Sequence, residues 1–180
     1  PLTLTMPETM SIERRKLLVA YGATLVLTEG AKGMNGAIAK AEEIVASDPS
    51  KWVLLQQFKN PANPAIHEAT TGPEIWQQTG GKITHFVSSM GTTGTIMGIS
   101  KYLKEQNQDI QIVGLQPSEG SNIAGIRRWP QEYLPTIFDP KRVDRIMDIP
   151  QIEAEKMARQ LARKEGISAG TSSGGAVWAL

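Results

Sequence analysis

Strand-like and helix-like segments alternate along the first third of this sequence, and that alternation most constrains what the chain can fold into. Short apolar or alternating runs predict strands, and apolar residues at helical spacing predict helices between them. Such a series indicates a parallel sheet, because parallel strands need a crossover connection. The predicted strands are Leu2–Met6, Thr24–Thr28 and Trp52–Leu55, and the predicted helices run from Ser11 to Gly22 and from Met34 to Ser47.

The pattern is interrupted at Gln56–Pro64, where prolines stand at positions 61 and 64. This composition continues neither a strand nor a helix, so we place a domain crossover here. A second α/β series comes after it. Its helices are predicted at Ala65–Ala69, Pro73–Gln78, Ile96–Gln106 and Ile152–Glu165, its strands at Ile83–Ser89, Ile110–Leu115 and Val143–Ile149, and Ile167–Ala176 is predicted to hold a strand, a loop and the start of a helix.

Composition limits the chemistry of the chain. Its 180 residues suffice for one domain or two small ones, and its net charge of +1 provides no strong field for nucleic acid or a membrane surface. With no Cys and two His, the chain forms no disulfide, thiolate nucleophile or Cys-based zinc site, and no metal site is predicted. No apolar run has the length of a membrane span. We expect a cytoplasmic protein, or a piece of one.

The most informative motif is Gly91–Thr95, which follows the apolar strand Ile83–Ser89 and opens a helix. Glycines let a backbone approach an anion, the amides of a helix N-terminus point at it, and threonine hydroxyls add donors. The motif matches neither a Walker A loop nor the G-x-G-x-x-G pattern. It indicates a phosphate site, with a tight strand-to-helix turn as the alternative.

Three further segments are candidates for ligand contacts. The hydroxyls of Gly170–Gly175 stand where a sheet edge meets a ligand, but Ser and Thr there also serve as helix caps. Gln57 and Phe58 offer an amide for a carboxylate and a ring for stacking, unless they belong to an interdomain linker with a buried Phe. Arg127 and Arg128 offer guanidinium forks for an anionic substrate, or are a solvated pair beside a packed Trp.

Together these motifs resemble the fold-type II pyridoxal-phosphate enzymes, and specifically the O-acetylserine sulfhydrylase (cysteine synthase) family. The resemblance extends over essentially the whole chain. The part up to Trp76, with its Gln57–Asn63 and Thr71–Trp76 motifs, is most like the A isozyme. From Gly91 onward, including Gly125–Pro130, the chain is most like the B isozyme, to which we assign it.

The resemblance implies an α/β fold with two open, mostly parallel sheets flanked by helices, as in the tryptophan synthase β subunit, truncated at both ends. Residues 1–59 are then part of a smaller mobile substrate domain, and residues 60–180 part of a larger cofactor-binding domain. A homodimer is also implied, and a serine acetyltransferase tail is a further partner if the chain is of the A type.

The resemblance also assigns roles to single residues. Ser172 would hydrogen-bond the pyridine nitrogen of pyridoxal 5'-phosphate, while local sequence does not choose between Ser172 and Ser173. Gln57 and Phe58 would bind the substrate carboxylate, and Arg127 and Arg128 would lie near the entrance of the sulfur nucleophile. The residues implied to hold the cofactor phosphate are Gly91, Thr92, Thr93, Gly94 and Thr95.

The implied reaction is replacement of acetate in O-acetylserine by sulfide, or by thiosulfate, to give L-cysteine or S-sulfocysteine. The Schiff-base lysine of the family lies in a Ser-x-Lys-Asp-Arg motif that is absent here, and Lys51, Lys59 and Lys101 do not match it. No catalytic residue is therefore assigned, and we expect the chain alone to be inactive. Two alternatives stay open: another fold-type II lyase, such as a serine/threonine dehydratase or cystathionine β-synthase, and a non-catalytic binding or scaffold derivative of the fold.

Overall fold

The computed structural model describes all 180 residues, and they form two compact units, Pro1–Leu55 and Gln56–Leu180. The boundary falls before Gln56, whereas the sequence predicts it after Lys59. The reason is that Phe58 belongs to the second unit by its contacts: its carbonyl accepts a hydrogen bond from the Thr136 hydroxyl at 3.3 Å. The residues from Gln56 to Lys59 therefore fold with the second unit.

The first unit is a parallel two-stranded sheet with a helical crossover. Strands β1 (Thr3–Pro7) and β2 (Thr24–Thr28) pair in parallel. Helix α1 (Ile12–Ala20) connects them, and the Ser11 hydroxyl caps it by accepting from the Arg14 amide at 3.3 Å. Gly22, with φ of 85°, turns the chain out of the helix as predicted. These bounds confirm the strand–helix–strand prediction.

Helix α2 (Gly33–Ser47) packs on this sheet through its small residues. Ala37 is 2% exposed, and its carbonyl accepts a hydrogen bond from the Thr5 hydroxyl at 2.8 Å. Helical spacing predicts an inward-facing stripe made of Ala37, Ile38, Ala41, Ile44 and Val45. The prediction is wrong for Ile38, because 43% of its surface is exposed. The predicted stripe is thus wider than the face that the two strands cover.

The predicted third strand, Trp52–Leu55, does not form. A strand requires a ladder partner, and this segment pairs with neither β1 nor β2. Val53 and Leu55 are 82% and 73% exposed, so the segment has no regular secondary structure and leaves these two apolar side chains uncovered.

The second unit begins with one continuous helical stretch rather than two helices. Helix α3 (Ala62–Ile66) passes through a π-helical turn, His67–Thr71, into helix α4 (Gly72–Gln78). A later helix, α5 (Gly94–Gln106), packs against this stretch at close range. At Gly98 of α5 a Cβ atom would overlap the Pro64 carbonyl oxygen, so only glycine allows this approach.

A three-stranded parallel sheet is the centre of the second unit. Its strands β3 (His85–Ser89), β4 (Gln111–Pro117) and β5 (Arg145–Ile149) lie in the order β3-β4-β5, which confirms the three predicted strands. The middle strand is buried on both faces, as expected of a sheet covered by helices on each side.

Two hydrophobic clusters cover the two faces of this sheet. Ile112 packs with α5, whereas Val113 and Leu115 pack with the last two helices, because alternate side chains of a strand point to opposite faces. Those helices are α6 (Gln151–Glu165) and α7 (Thr171–Trp178). None of the helices is both long and apolar enough to cross a membrane.

The strand predicted within Ile167–Ala176 is also wrong. Gly166 ends α6 with φ of 70°, and the chain then passes to α7 without joining the sheet. Ile167 is 54% exposed, so its apolar character reflects no burial in this chain. The helix predicted after the loop does form.

Because α7 packs closely on α6, alanine substitutions at two adjacent glycines of α7 are predicted to have unequal effects on stability. A Cβ atom at Gly174 would overlap the backbone oxygen of Ala154, whereas one at Gly175 would lie 3.0 Å from the flexible tip of Ile149. We expect Gly174→Ala to lower the free energy of unfolding by about 2 kcal/mol. Gly175→Ala gains the same helix propensity and is the matched control. Urea unfolding measures both, and equal effects would contradict the packing.

A carboxylate at the edge of the sheet predicts a pH-dependent stability. Asp144 accepts from the Ile112 amide at 2.7 Å and pairs with Lys104 at 3.0 Å. Desolvation raises the pKa of Asp144, but the Ile112 amide and Lys104 outweigh it, and the pKa is lowered from 3.8. A lowered pKa stabilises the folded state above the unfolded pKa, and this contribution is lost as the pH falls through the folded value.

Asp144→Asn is therefore expected to lower the free energy of unfolding by about 1 kcal/mol at pH 7. The difference from the unsubstituted chain should shrink as the pH falls below the ordinary value of 3.8. The exposed Asp109, changed to Asn, is the control. A difference that is the same at about pH 7 and at acid pH would contradict this role.

Candidate functional site

The predicted phosphate turn leads from β3 directly into α5. Thr93 is the N-cap of α5 and adopts φ of 72°, a left-handed conformation that is rare for a β-branched residue. It is 3% exposed, and its hydroxyl oxygen is buried without a hydrogen-bond partner. Strained backbone and buried polar atoms without partners are uncommon in proteins, and they cluster at sites that bind ligands.

Both glycines of the turn are required by close approach. A Cβ atom at Gly91 would lie 2.7 Å from the Gly125 carbonyl oxygen, and one at Gly94 would overlap the Asn63 side chain. The first amides of α5 have no intrahelical acceptor, and the helix dipole adds positive potential there. A tight turn alone accounts for the glycines but leaves the Thr93 hydroxyl unexplained, so the geometry favours an anion.

Asn63 connects this turn to the substrate segment predicted from the sequence. Its side-chain amide nitrogen lies 3.1 Å from the Thr92 hydroxyl and 2.8 Å from the Gln57 carbonyl oxygen. Sequence reasoning assigns no role to Asn63. Its position in a run of Asn and Pro indicates a crossover, and nothing local in the sequence reports a contact across 29 residues.

Thr95 faces a different neighbour. Its hydroxyl lies 3.3 Å from Nε2 of His67, whose Nδ1 lies 2.9 Å from the Thr71 hydroxyl. Thr95 is exposed, whereas Thr93 is buried. The hydroxyls of the turn therefore differ: those of Thr92 and Thr95 have partners within the chain, and that of Thr93 has none.

Gln57 and Phe58 lie beside the turn with different exposures. The Gln57 side chain is exposed, while Phe58 is half-buried and meets the Trp129 ring edge-on, with centroids 5.6 Å apart. Phe58 is thus partly covered by Trp129 and belongs to the second unit rather than to a linker between units. Gln57 is left with an exposed amide on a backbone that Asn63 ties to the turn.

Arg127 and Arg128 are adjacent in sequence but not equivalent. The Arg128 guanidinium pairs with Asp148, and its Nε donates to the Pro117 carbonyl at 2.9 Å. The Gln116 amide and the Arg128 guanidinium both lower the pKa of Asp148. Arg127 is exposed, and its guanidinium contacts only the neighbouring Ile126 carbonyl, at 3.4 Å. Of the two, only Arg127 has a guanidinium group without an ion-pair partner.

Ser172 lies in the first turn of α7, next to the end of β3. The Ser89 hydroxyl donates to the Ser172 carbonyl at 3.2 Å, which joins the two elements. The N-cap of α7 is Gly170, and no side chain caps the helix. The capping alternative for the hydroxyls of Thr171, Ser172 and Ser173 is therefore wrong, and the Ser172 hydroxyl is available to a ligand.

The assembled residues fit a phosphorylated cofactor better than a metal ion. The turn offers an unpartnered buried hydroxyl at the N-terminus of a helix, and Ser172 offers a second hydroxyl near the same strand end. No group of three or more His, Cys, Asp or Glu in the chain is placed to hold a metal ion.

Comparison with known proteins agrees with this chemistry. Residues 1–180 match the family model described as pyridoxal-phosphate dependent enzyme. The chain is 59% identical to cysteine synthase B of Pseudomonas aeruginosa over 99% of its own length and 59% of that protein. It is 58% identical to cysteine synthase B of Escherichia coli, over 98% of the chain and 57% of that protein. With cysteine synthase A of Escherichia coli the identity is 53%, over 98% of the chain and 59% of that protein.

Solved structures show the same fold. Cysteine synthase of Entamoeba histolytica matches with a TM-score of 0.88 and 39% identity, over 97% of this chain and 54% of that one. An O-acetylserine dependent cystathionine beta-synthase of Helicobacter pylori matches with a TM-score of 0.81 and 36% identity, over 98% of this chain and 60% of that one. The chain thus spans less than two thirds of its relatives' length. Its match to the family model over residues 1–180 shows that it belongs to the family of pyridoxal-phosphate dependent enzymes.

Proposed function

We propose that this chain forms the cofactor-binding part of a cysteine synthase, which replaces the acetate of O-acetylserine by sulfide or thiosulfate. The products are L-cysteine or S-sulfocysteine. The observation that carries the proposal is the Thr93 hydroxyl, buried without a partner at the N-terminus of α5. The named cysteine synthases at 53% to 59% identity support the reaction, and the higher values belong to the B type.

The cofactor is held by two groups of the second unit. Gly91, Thr92, Thr93, Gly94 and Thr95 would bind its phosphate, with Thr93 donating the hydroxyl that lacks a partner. The Ser172 hydroxyl would hydrogen-bond the ring nitrogen. A neutral hydroxyl donor leaves that nitrogen less protonated than a carboxylate would. Pyridoxal phosphate, when bound, supplies an electron sink for substitution at the β-carbon.

The substrate is held by the segment that Asn63 ties to the turn. The exposed Gln57 amide would donate to the substrate carboxylate, and Phe58 supplies an apolar wall braced by Trp129. Arg127 and Arg128 would lie near the entrance of the sulfur nucleophile. Because Arg128 is paired with Asp148, Arg127 is the residue whose guanidinium would attract an anionic donor such as thiosulfate.

The proton transfers need a base that this sequence does not contain. The family's lysine motif is absent, and Lys51, Lys59 and Lys101 do not match it. The proposal therefore assigns binding and orientation, but no general base, to these 180 residues. We further propose that the working enzyme is a cytoplasmic homodimer. A serine acetyltransferase tail would be a partner only if the enzyme were of the A type.

A different lyase reaction is the second candidate within catalysis. The Helicobacter pylori protein, at 36% identity, is named an O-acetylserine dependent cystathionine beta-synthase, so a thiol could replace sulfide as the nucleophile. A non-catalytic binding derivative of the fold is the third candidate.

Removal of the Thr93 hydroxyl should raise the stability of the chain and weaken its binding of a phosphorylated ligand. Thr93→Val keeps the branched shape but removes a buried unpartnered polar atom, so the free energy of unfolding should rise by about 1 kcal/mol. Binding of 4-deoxypyridoxine 5'-phosphate, which has no aldehyde and forms no Schiff base, should weaken about tenfold. Thr93→Ser keeps the hydroxyl and should retain binding. Loss of stability and binding together, or unchanged binding in Thr93→Val, would contradict the proposal.

Turnover provides a second test. The 180-residue chain is expected to form no cysteine from O-acetylserine and sulfide, because it lacks the lysine motif. A chimera that joins it to the flanking segments of the Escherichia coli cysteine synthase B should form cysteine, and should not convert serine alone. Cysteine formation by the chain itself would contradict the proposal that these 180 residues supply no general base. Turnover of serine by the chimera would favour a dehydratase, and an inactive folded chimera would favour the non-catalytic alternative.

A further inference from the structure

Trp129 contacts two segments of the site at once. Its indole Nε1–H donates to the Gly91 carbonyl oxygen at 2.8 Å, and its ring meets Phe58 edge-on. We propose that Trp129 is a positioning residue that fixes the direction in which the Thr92 N–H of the phosphate turn points. The inference deepens the proposed function and rests on it, since it assumes a phosphate bound at Gly91–Thr95.

The hydrogen bond to the Gly91 carbonyl also sets the direction of the Thr92 N–H, because both groups belong to one planar peptide. The peptide that carries the Gly91 carbonyl also carries the Thr92 N–H, and in a trans peptide the two point in opposite directions. An indole that holds the carbonyl on one side therefore directs the amide to the other. If the indole N–H is lost, this peptide is free to rotate about its flanking dihedrals.

The adjacent peptide is fixed from the same segment. The Arg127 amide donates to the Met90 carbonyl at 2.8 Å, so two consecutive carbonyls accept from the residues 127–129. The backbone of Gly125 also lies close to Gly91, since a Cβ atom added at Gly91 would be 2.7 Å from the Gly125 carbonyl oxygen. The turn thus lies directly against this segment, and its position follows that of Trp129.

Trp129 is itself held on both sides. The neighbouring Arg128 is anchored to the Pro117 carbonyl and to Asp148. The Phe58 that contacts its ring is held through its carbonyl by the Thr136 hydroxyl. The indole is therefore preorganised, and it cannot follow a displaced turn without breaking these contacts.

The test uses the 180-residue chain and two aldehyde-free probes that differ only in the phosphate. Trp129→Phe keeps an aromatic ring against Phe58 but removes the indole N–H. Its affinity for 4-deoxypyridoxine 5'-phosphate should fall about three- to tenfold, the range expected for one hydrogen bond. Its affinity for unphosphorylated 4-deoxypyridoxine should not change. A general structural defect would weaken both probes alike, and that result would overturn the inference.

Two further variants keep the test decisive. Trp76→Phe makes the same exchange at a Trp that packs against Gly81 and makes no hydrogen bond to the turn. It is the matched control and should leave the ratio of the two affinities unchanged. Benzothienylalanine at position 129 keeps the bicyclic shape without the N–H, and it decides the question if Trp129→Phe does not fold. Should the unsubstituted chain bind both probes equally, the proposed cofactor site is wrong. If the unsubstituted chain prefers the phosphorylated probe and Trp129→Phe shows the same preference, only the role of Trp129 is overturned.

Discussion

The left-handed turn at Thr93 is the constraint on which the second unit depends. A residue in a sparsely populated conformation costs about 1–3 kcal/mol, and a buried hydroxyl without a partner adds to this. The turn persists because its surroundings determine it: β3 is paired with β4 on one side of it, and α5 is packed in the core on the other. Only a strand and a helix that are both fixed can hold such a connection.

The same constraint explains why the surrounding residues are small or polar. Glycine is required at positions 91 and 94, because the backbone of Gly125 and the side chain of Asn63 fill the space that a Cβ atom would take. Asn63 and Trp129 then hold the turn from two directions. The local rules of stability are broken here, as is common at functional sites, and the proposed anion, by binding the folded state alone, would stabilise that state by mass action.

Much of the fold is predictable from local pattern. Strand β2 has the predicted bounds, and the glycine and threonine motif between β3 and α5 indicates an anion site from residue types alone. The strands predicted at Trp52–Leu55 and at Ile167 are wrong for the same reason. Apolar composition indicates that a segment tends to be buried, but it does not show that a neighbouring strand is present to pair with it. The contacts of Asn63 and Trp129 cross 29 and 38 residues, and no local pattern encodes them.

Arg127 and Arg128 show where residue type stops being informative. Both are exposed guanidinium groups in one motif, and sequence alone gives them the same role. The structure separates them through Asp148, which lies at the end of β5 beside Gln116 of β4 and pairs with Arg128 alone. Since an ion pair satisfies the fork that a substrate would otherwise bind, the strand register that places Asp148 decides which arginine stays available. The role proposed for Arg127 thus depends on the register of β4 and β5, and the Arg128–Asp148 pair also anchors the segment that carries Trp129 against the turn.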